Sequence, residues 1–307
     1  MKHRGRNIAA ALLIIAAGGG ARIPLEQRYT ADLRGQQLME PPLSLDLRDE
    51  LGHTFFIAVL GGFRSVVATV IELKTVQPYI DENWGLVDQY YALCCKLQPR
   101  EDTYWENRAW HLAANARDGY LYDPRNSEET RHLLAQQSVN KGIEVLLEGT
   151  NHRPDSGRLW ERLGHYTSMP WNDLRDHAKA SEYYAKAAAT PRAPRYFYRF
   201  CIYELARAPG REREAWVKLM ALYQNPEDRT PTAEILIIRL AGKLSRAGEP
   251  VLLPLELQLL LDPMAKLTRE QTKHRNLLLE AVEAELAKEK GALRPPRIES
   301  PGLEKSK

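Results

Sequence analysis

An all-α fold of stacked helical hairpins is what this sequence predicts, on three observations. Apolar residues recur at helical spacing over long stretches, and every apolar run short enough to be a strand continues into such a stretch. Large and small residues return at fixed helical offsets, as in Trp105 with Ala109 and Trp160 with Gly164. Prolines close the helical stretches at Pro99, Pro154, Pro191 and Pro226, at separations of 55, 37 and 35 residues.

The chain has 307 residues, long enough for one extended domain or two smaller ones, and a net charge of +3. That charge is too small to imply nucleic acid by itself. Cys94, Cys95 and Cys201 are an odd set with a vicinal pair, which is no disulfide framework. Small buried helix residues are the expectation for them.

Residues 1–21 join a basic start (Lys2, His3, Arg4, Arg6) to an uncharged run from Ile8 to Ala21. This is the pattern of a secretory signal. A helix over 8–21 spans roughly 21 Å, short of the ~30 Å core of a bilayer. Cleaved signal and uncleaved anchor both stay open. Residues 22–50, with Pro24, Pro41 and Pro42, have weak periodicity and read as a tether or loose cover. Residues 55–73 are strongly apolar around Arg64, and a charge in mid-span costs several kcal/mol in lipid. A buried first helix is therefore expected there, with membrane insertion as the rival.

A solenoid is expected over 51–250. Trp84 to Leu97 forms a helix with Val87, Tyr91 and Cys94 on its inner stripe. Trp105, Ala109 and Leu112 open the next hairpin. A loop over Asp118 to Ser127 delays its partner, which carries Gly142, Ile143, Leu146, Leu147 and Gly149. The most regular stretch follows, with Asp155 or Ser156 as N-cap. Trp160 and Leu163 share a face, and Gly164 clears space for a second helix bearing Ala180, Tyr184 and Ala187. A fourth hairpin pairs Phe197 and Cys201 with Ala215, Leu219 and Leu222. Thr230-Pro231 starts a further helix, and Gly248 and Pro250 stop it. Capping helices are expected over 251–291, one at Leu255 to Leu261 and one opened by a Thr268/Gln271 capping box. Residues 292–307, with Pro295, Pro296 and Pro301, read as a disordered tail.

The order Trp160-x-x-Leu163-Gly164, then Ala180-x-x-x-Tyr184-x-x-Ala187, then Pro191 resembles the tetratricopeptide repeat, a helix–turn–helix unit of about 34 residues. The resemblance covers about residues 84–226 and implies an irregular solenoid of such hairpins. One hairpin leaves apolar surface bare, so each needs neighbours. Leu60-Gly61-Gly62-Phe63-Arg64 followed by Val67-Ala68 also resembles a block in exported or membrane-tethered bacterial repeat proteins. That resemblance implies a periplasmic location, anchored or free.

No motif for chemistry emerges. The sequence lacks a Gly-rich phosphate loop, a Gly-x-Ser-x-Gly elbow, His-Glu-x-x-His and Cys-x-x-Cys. His111, His132, His152, His165 and His177 fall on separate stretches, so no metal is expected, and no cofactor. Cys94 and Cys95 point about 100° apart on a helix. Asp173/Asp176 and Glu101/Asp102 fit the charge preference of helix N-termini. The run Arg192, Arg195, Tyr196, Phe197, Tyr198, Arg199 is either a ligand surface or a core Phe197 flanked by solvated arginines.

In tetratricopeptide solenoids the first helix of each pair lines the concave side. The resemblance places groove positions at Glu106 and Trp110, at Arg158, Glu161 and His165, and at Arg195 and Tyr198. A mixed-charge groove with aromatic residues suits a peptide or protein segment, not nucleic acid. The expected function is a non-catalytic protein-interaction scaffold of the cell envelope. Its rivals are an envelope enzyme with an unrecognised site, and a membrane-complex subunit with 55–73 inserted.

Overall fold

A computed structural model describes residues 22–36 and 62–292 except Pro250, with Gly20, Met39, Glu50, Gly52 and Val59 as isolated positions. The expected signal or anchor and the expected tail lie almost wholly outside them. The described residues are helical with no strand. They form two compact units that meet in sequence at Arg153 and Pro154, inside the span expected for one solenoid.

In the first unit, α1 covers residues 22–35, where the sequence suggests a loose tether. It is an exposed helix of good helix formers with an Arg22–Glu26 pair at i,i+4 (2.6 Å). Next come α2 (Arg64–Leu73), α3 (Val76–Ile80) and α4 (Trp84–Leu97). Of residues 55–73, positions 55–58, 60 and 61 lie outside the described residues, and α2 takes in the last ten. Gly62 turns the chain at φ +92°, a conformation open to glycine, and α2 starts two residues later. Val67, Ala68 and Ile71 of α2 are buried, and α2 packs on α4.

α5 (Asp102–Trp110) runs through a π-helical stretch (His111–Ala116) into α6 (Arg117–Leu121). The helix thus persists past Asp118, where a loop is expected. After a short turn, α7 (Glu128–His152) begins at Ser127, whose Oγ accepts from the Thr130 N–H (3.3 Å). Gly142 lies against Ala109 and Ala113, and Gly149 against the Trp105 ring. Ser138 Oγ donates to the Leu112 carbonyl in the π stretch (2.7 Å), giving a buried acceptor its partner.

The second unit holds α8 (Gly157–Ser168), α9 (His177–Ala188), α10 (Arg195–Arg207), α11 (Glu212–Tyr223), α12 (Pro231–Arg246), α13 (Leu255–Leu261) and α14 (Arg269–Ala292). From α8 to α12 each helix packs on the next, and α12 packs on α14. Capping follows the sequence closely. Ser156 Oγ accepts from the Leu159 N–H (3.2 Å), and Thr230 Oγ1 from the Ala233 N–H (3.2 Å). The Thr268/Gln271 box closes both ways, at 3.2 and 2.9 Å. Gly248, at φ +80°, ends α12.

One device occurs in both units. Trp105 Nε1–H donates to the Pro99 carbonyl at 2.9 Å, and Trp160 Nε1–H donates to the Pro154 carbonyl at 2.9 Å. In each case the indole ties its helix back to the proline that ends the preceding one. Two rings of α9 meet α8. Trp160 stacks on Tyr183 (centroids 6.0 Å), while Tyr184 lies beneath Gly164 and edge-on to Phe200 (5.4 Å).

The cysteines are buried free thiols, as expected by residue type. Burial pushes the Cys94 thiol up to about 12, and its Sγ–H points to the Ala68 carbonyl (3.4 Å).

Candidate functional site

The most varied chemistry in the second unit gathers where α8 and α10 flank Tyr184 of α9. Gly164 has no side chain, so the Tyr184 ring lies close against α8 and forms a floor with Phe200. Tyr196 meets Phe200 edge-on at 5.4 Å. Glu161 sits near the hydroxyls of both Tyr184 and Tyr196; burial first, then this carboxylate, pushes both phenols up. Arg162 Nε lies 3.7 Å from Glu161.

Glu204 of α10 closes the other end. His177 Nδ1 is 2.7 Å from Glu204 Oε2, and Arg207 is 3.5 Å from Oε1. Arg207 also donates from Nε to Glu285 of α14 (2.8 Å). His165, on α8, lies within reach of the charges of Arg162 and Glu204. Burial, and then the Arg162 charge, lower its pKa, while Glu204 opposes them. The imidazole is thereby kept as a neutral donor and acceptor at pH 7.

The groove positions drawn from the repeat pattern divide between the units. Glu106 is buried (8% exposed) and Trp110 is 46% exposed, edge-on to His111; both belong to the first unit. In the second unit Arg158 is exposed on α8, and Glu161 and His165 lie on the Tyr184 face. Arg195 is engaged elsewhere. It forks onto Asp228 through Nε (3.0 Å) and Nη2 (2.5 Å) and reaches Glu227 (3.3 Å). Arg199 adds a contact to Asp228 at 3.3 Å. Tyr198 is half exposed and lies near Lys218 of α11.

The α10 ring that Glu161 reaches is Tyr196, with Phe200 and Glu204 following it one and two turns further on. The sequence marks Tyr196 within a possible ligand surface but not Phe200 and Glu204, although their i+4 and i+8 spacing from it is there to read. Of the carboxylates Asp173/Asp176 and Glu101/Asp102, all but Asp173 sit at helix starts, and Asp173 lies in the turn before α9. Asp176 caps α9 through the Lys179 N–H (2.9 Å), and Glu101 caps α5 through the Thr103 N–H (3.3 Å).

A second aromatic cluster surrounds His111 in the π stretch. The imidazole stacks on Tyr91 (5.1 Å) and meets Tyr79 (5.4 Å) and Trp110 (4.9 Å) edge-on. Burial lowers its pKa to about 4. In the unfolded chain His111 titrates near 6.5, so that state takes up a proton first as the pH falls. Stability is therefore complete above the unfolded pKa and drains away as the pH drops from about 6.5 towards 4. At about 1.4 kcal/mol per pKa unit, the loss should reach about 2–3 kcal/mol. Urea unfolding across this pH range should show the loss in wild type, and His111→Gln should remove most of the slope.

Among the described residues no helix is long and apolar enough to cross a membrane, and no group of three or more His, Cys, Asp or Glu could hold a metal ion. What the structure defines is an all-α protein of packed helices whose side-chain clusters are polar–aromatic faces. Comparison with protein-family models, curated proteins and solved structures finds no significant match to this chain.

Proposed function

We propose that this chain is a non-catalytic interaction scaffold of the bacterial cell envelope. In this reading it is a tetratricopeptide-like protein that holds a peptide or protein segment against the α8–α10 face. The observation that carries it is the floor of Tyr184 and Phe200, flanked by Glu161, Arg162 and His165 on one side and by Tyr196 and Glu204 on the other. Tyr184 is buried, so Phe200 and Tyr196, each more than a third exposed, supply the contact area, and the charged rim offers hydrogen bonds to the backbone and polar side chains of an extended segment. The envelope location rests on the basic and apolar residues of 1–21.

Affinity capture from envelope fractions tests the face, comparing wild type with a Glu161→Ala, His165→Ala, Tyr196→Ala variant. Loss of at least about tenfold in recovered partner is expected for a variant with wild-type helicity. Retention of every partner would sink the proposal. The same substitution at Tyr198 serves as the control and should leave capture intact.

A further inference from the structure

Arg207 of α10 meets two carboxylates that belong to different parts of the second unit. Its Nε–H donates to Glu285 of α14 at 2.8 Å, and its Nη1 lies 3.5 Å from Glu204 Oε1. Glu204 edges the α8–α10 face. There His177 Nδ1 takes the other carboxylate oxygen at 2.7 Å, and the same charge reaches His165 and Tyr184. The side chains of Glu204 and Glu285 are largely buried, at 14% and 15% exposure. Contacts at such depth are screened by salt far less than those on an open surface. One guanidinium thus serves both the candidate face and the last helix, and the shorter contact goes to the helix.

Helix α14 depends on that contact more than its length suggests. Of its 24 residues, Leu278 and Val282 are the buried ones among the described side chains, while Leu277 and Leu279 are exposed. A contact of the half-exposed His274 to Glu234 (2.9 Å) adds little. Glu285 also acts on a second arginine. Arg239 of α12 is buried and donates from Nη2 to the Ala206 carbonyl. Burial lowers its pKa to about 10; the charge of Glu285 opposes that shift and the charge of Arg207 adds to it. Glu285 is therefore a carboxylate that two arginines of neighbouring helices share. A helix that buries so few apolar side chains belongs to the low-stability end of a structure, where one such contact decides whether it stays docked.

We propose that α14 and the α8–α10 face compete for Arg207, so that docking of the last helix regulates the face. The inference rests on the reading of that face as a binding surface. With α14 docked, Arg207 is held on Glu285, and Glu204 Oε1 keeps room for an N–H or ammonium donor of the bound segment. With α14 released, Arg207 closes onto Glu204 and takes the place of that donor. A segment that pairs with Glu204 in turn frees Arg207 for Glu285 and tightens α14. The two effects are one coupling free energy, equal in both directions.

Hydrogen exchange on the full chain reads the competition without a ligand, because Glu204→Gln imitates a segment that has neutralised this carboxylate. Exchange in α14 should quicken at least about fivefold in Glu285→Gln and slow about two- to threefold in Glu204→Gln, with α8 at its wild-type rate in Glu285→Gln. Loss of a merely structural contact quickens exchange; slowing is what the sharing of Arg207 adds. In an Arg207→Ala background Glu204→Gln should leave α14 unchanged. Exchange in α14 that is unchanged in Glu285→Gln, unchanged or faster in Glu204→Gln, or slowed equally without Arg207 overturns the competition. Partner capture from envelope fractions tests the consequence. Glu285→Gln should recover at least about fivefold less than wild type, and equal recovery overturns the regulation. No capture by wild type itself sinks the scaffold reading, and the exchange rates still decide whether Arg207 is shared.

Discussion

Gly142→Ala should destabilise the first unit by about 1–3 kcal/mol, seen as a fall of several degrees in its melting temperature. Helix propensity alone argues the other way, since alanine is favoured over glycine inside a helix by about 1 kcal/mol. Contact decides the sign. A Cβ at Gly142 would lie 2.8 Å from Ala113 Cβ, 2.9 Å from the Ala109 carbonyl oxygen and 3.2 Å from the Ala113 nitrogen. Two of those atoms are backbone, which cannot rotate away as a side-chain tip can. Nor can the facing helix easily retreat, because Ser138 ties α7 to the Leu112 carbonyl at 2.7 Å. Gly242→Ala on α12 is the matched control. Its Cβ would meet only the tip of Arg246, at 3.6 Å, so the same substitution should stabilise there by about 0.5–1 kcal/mol. Calorimetry of the two variants gives opposite signs if close approach governs, and the same sign if propensity does.

Asp228→Asn should cost the second unit about 2–4 kcal/mol. Asp228 is 1% exposed and joins Arg195 and Arg199 across the turn between α11 and α12. Its carboxyl is held below the ordinary aspartate range, first by the hydrogen bonds from Arg195. Breaking a buried pair is costly because a charge is left behind. Here Arg195 is half exposed and can return to water, so the cost stays below the upper end for buried pairs. The sign with pH follows from the lowered pKa. The contribution is present above the unfolded aspartate pKa and fades as the pH falls through the folded one. Wild type and variant should therefore differ most near neutrality and converge in acid. Equal denaturation midpoints at pH 7 would refute the assignment.

How much of this was legible in the sequence varies by element. The limits of Trp84–Leu97 and Leu255–Leu261 were readable, and so were the starts at Ser156, Thr230 and Thr268, because caps and breakers act within a few residues. The early part of α7 was not, since the polar run from Glu128 to Lys141 carries little apolar periodicity. Its helix is held instead by Gly142, Gly149 and Ser138 packing on α5 and the π stretch. That stretch left no local signal either, as no side chain encodes a wider turn by itself.

The candidate site shows the same division. Glu161 and His165 were groove positions only through the repeat resemblance, and the structure sets Glu161 beside Tyr184. On α10 the resemblance pointed to Arg195 and Tyr198, whereas the ring beside Tyr184 is Phe200, with Tyr196 next to it. One residue is 100° of rotation on a helix, and the buried carboxylate of Asp228 on the opposite flank claims Arg195.

By itself, then, the sequence determined that the chain is helical, where many of its helices begin and end, and that glycines and small residues let them approach. Those are matters of local hydrogen bonding, capping and apolar spacing. Only the tertiary structure decided how each helix is rotated about its axis, that the chain forms two units meeting at Arg153 and Pro154, and that α2 keeps an apolar face in the open. These depend on which distant side chains compete for the same space and the same buried partner, and no single stretch of sequence contains that competition.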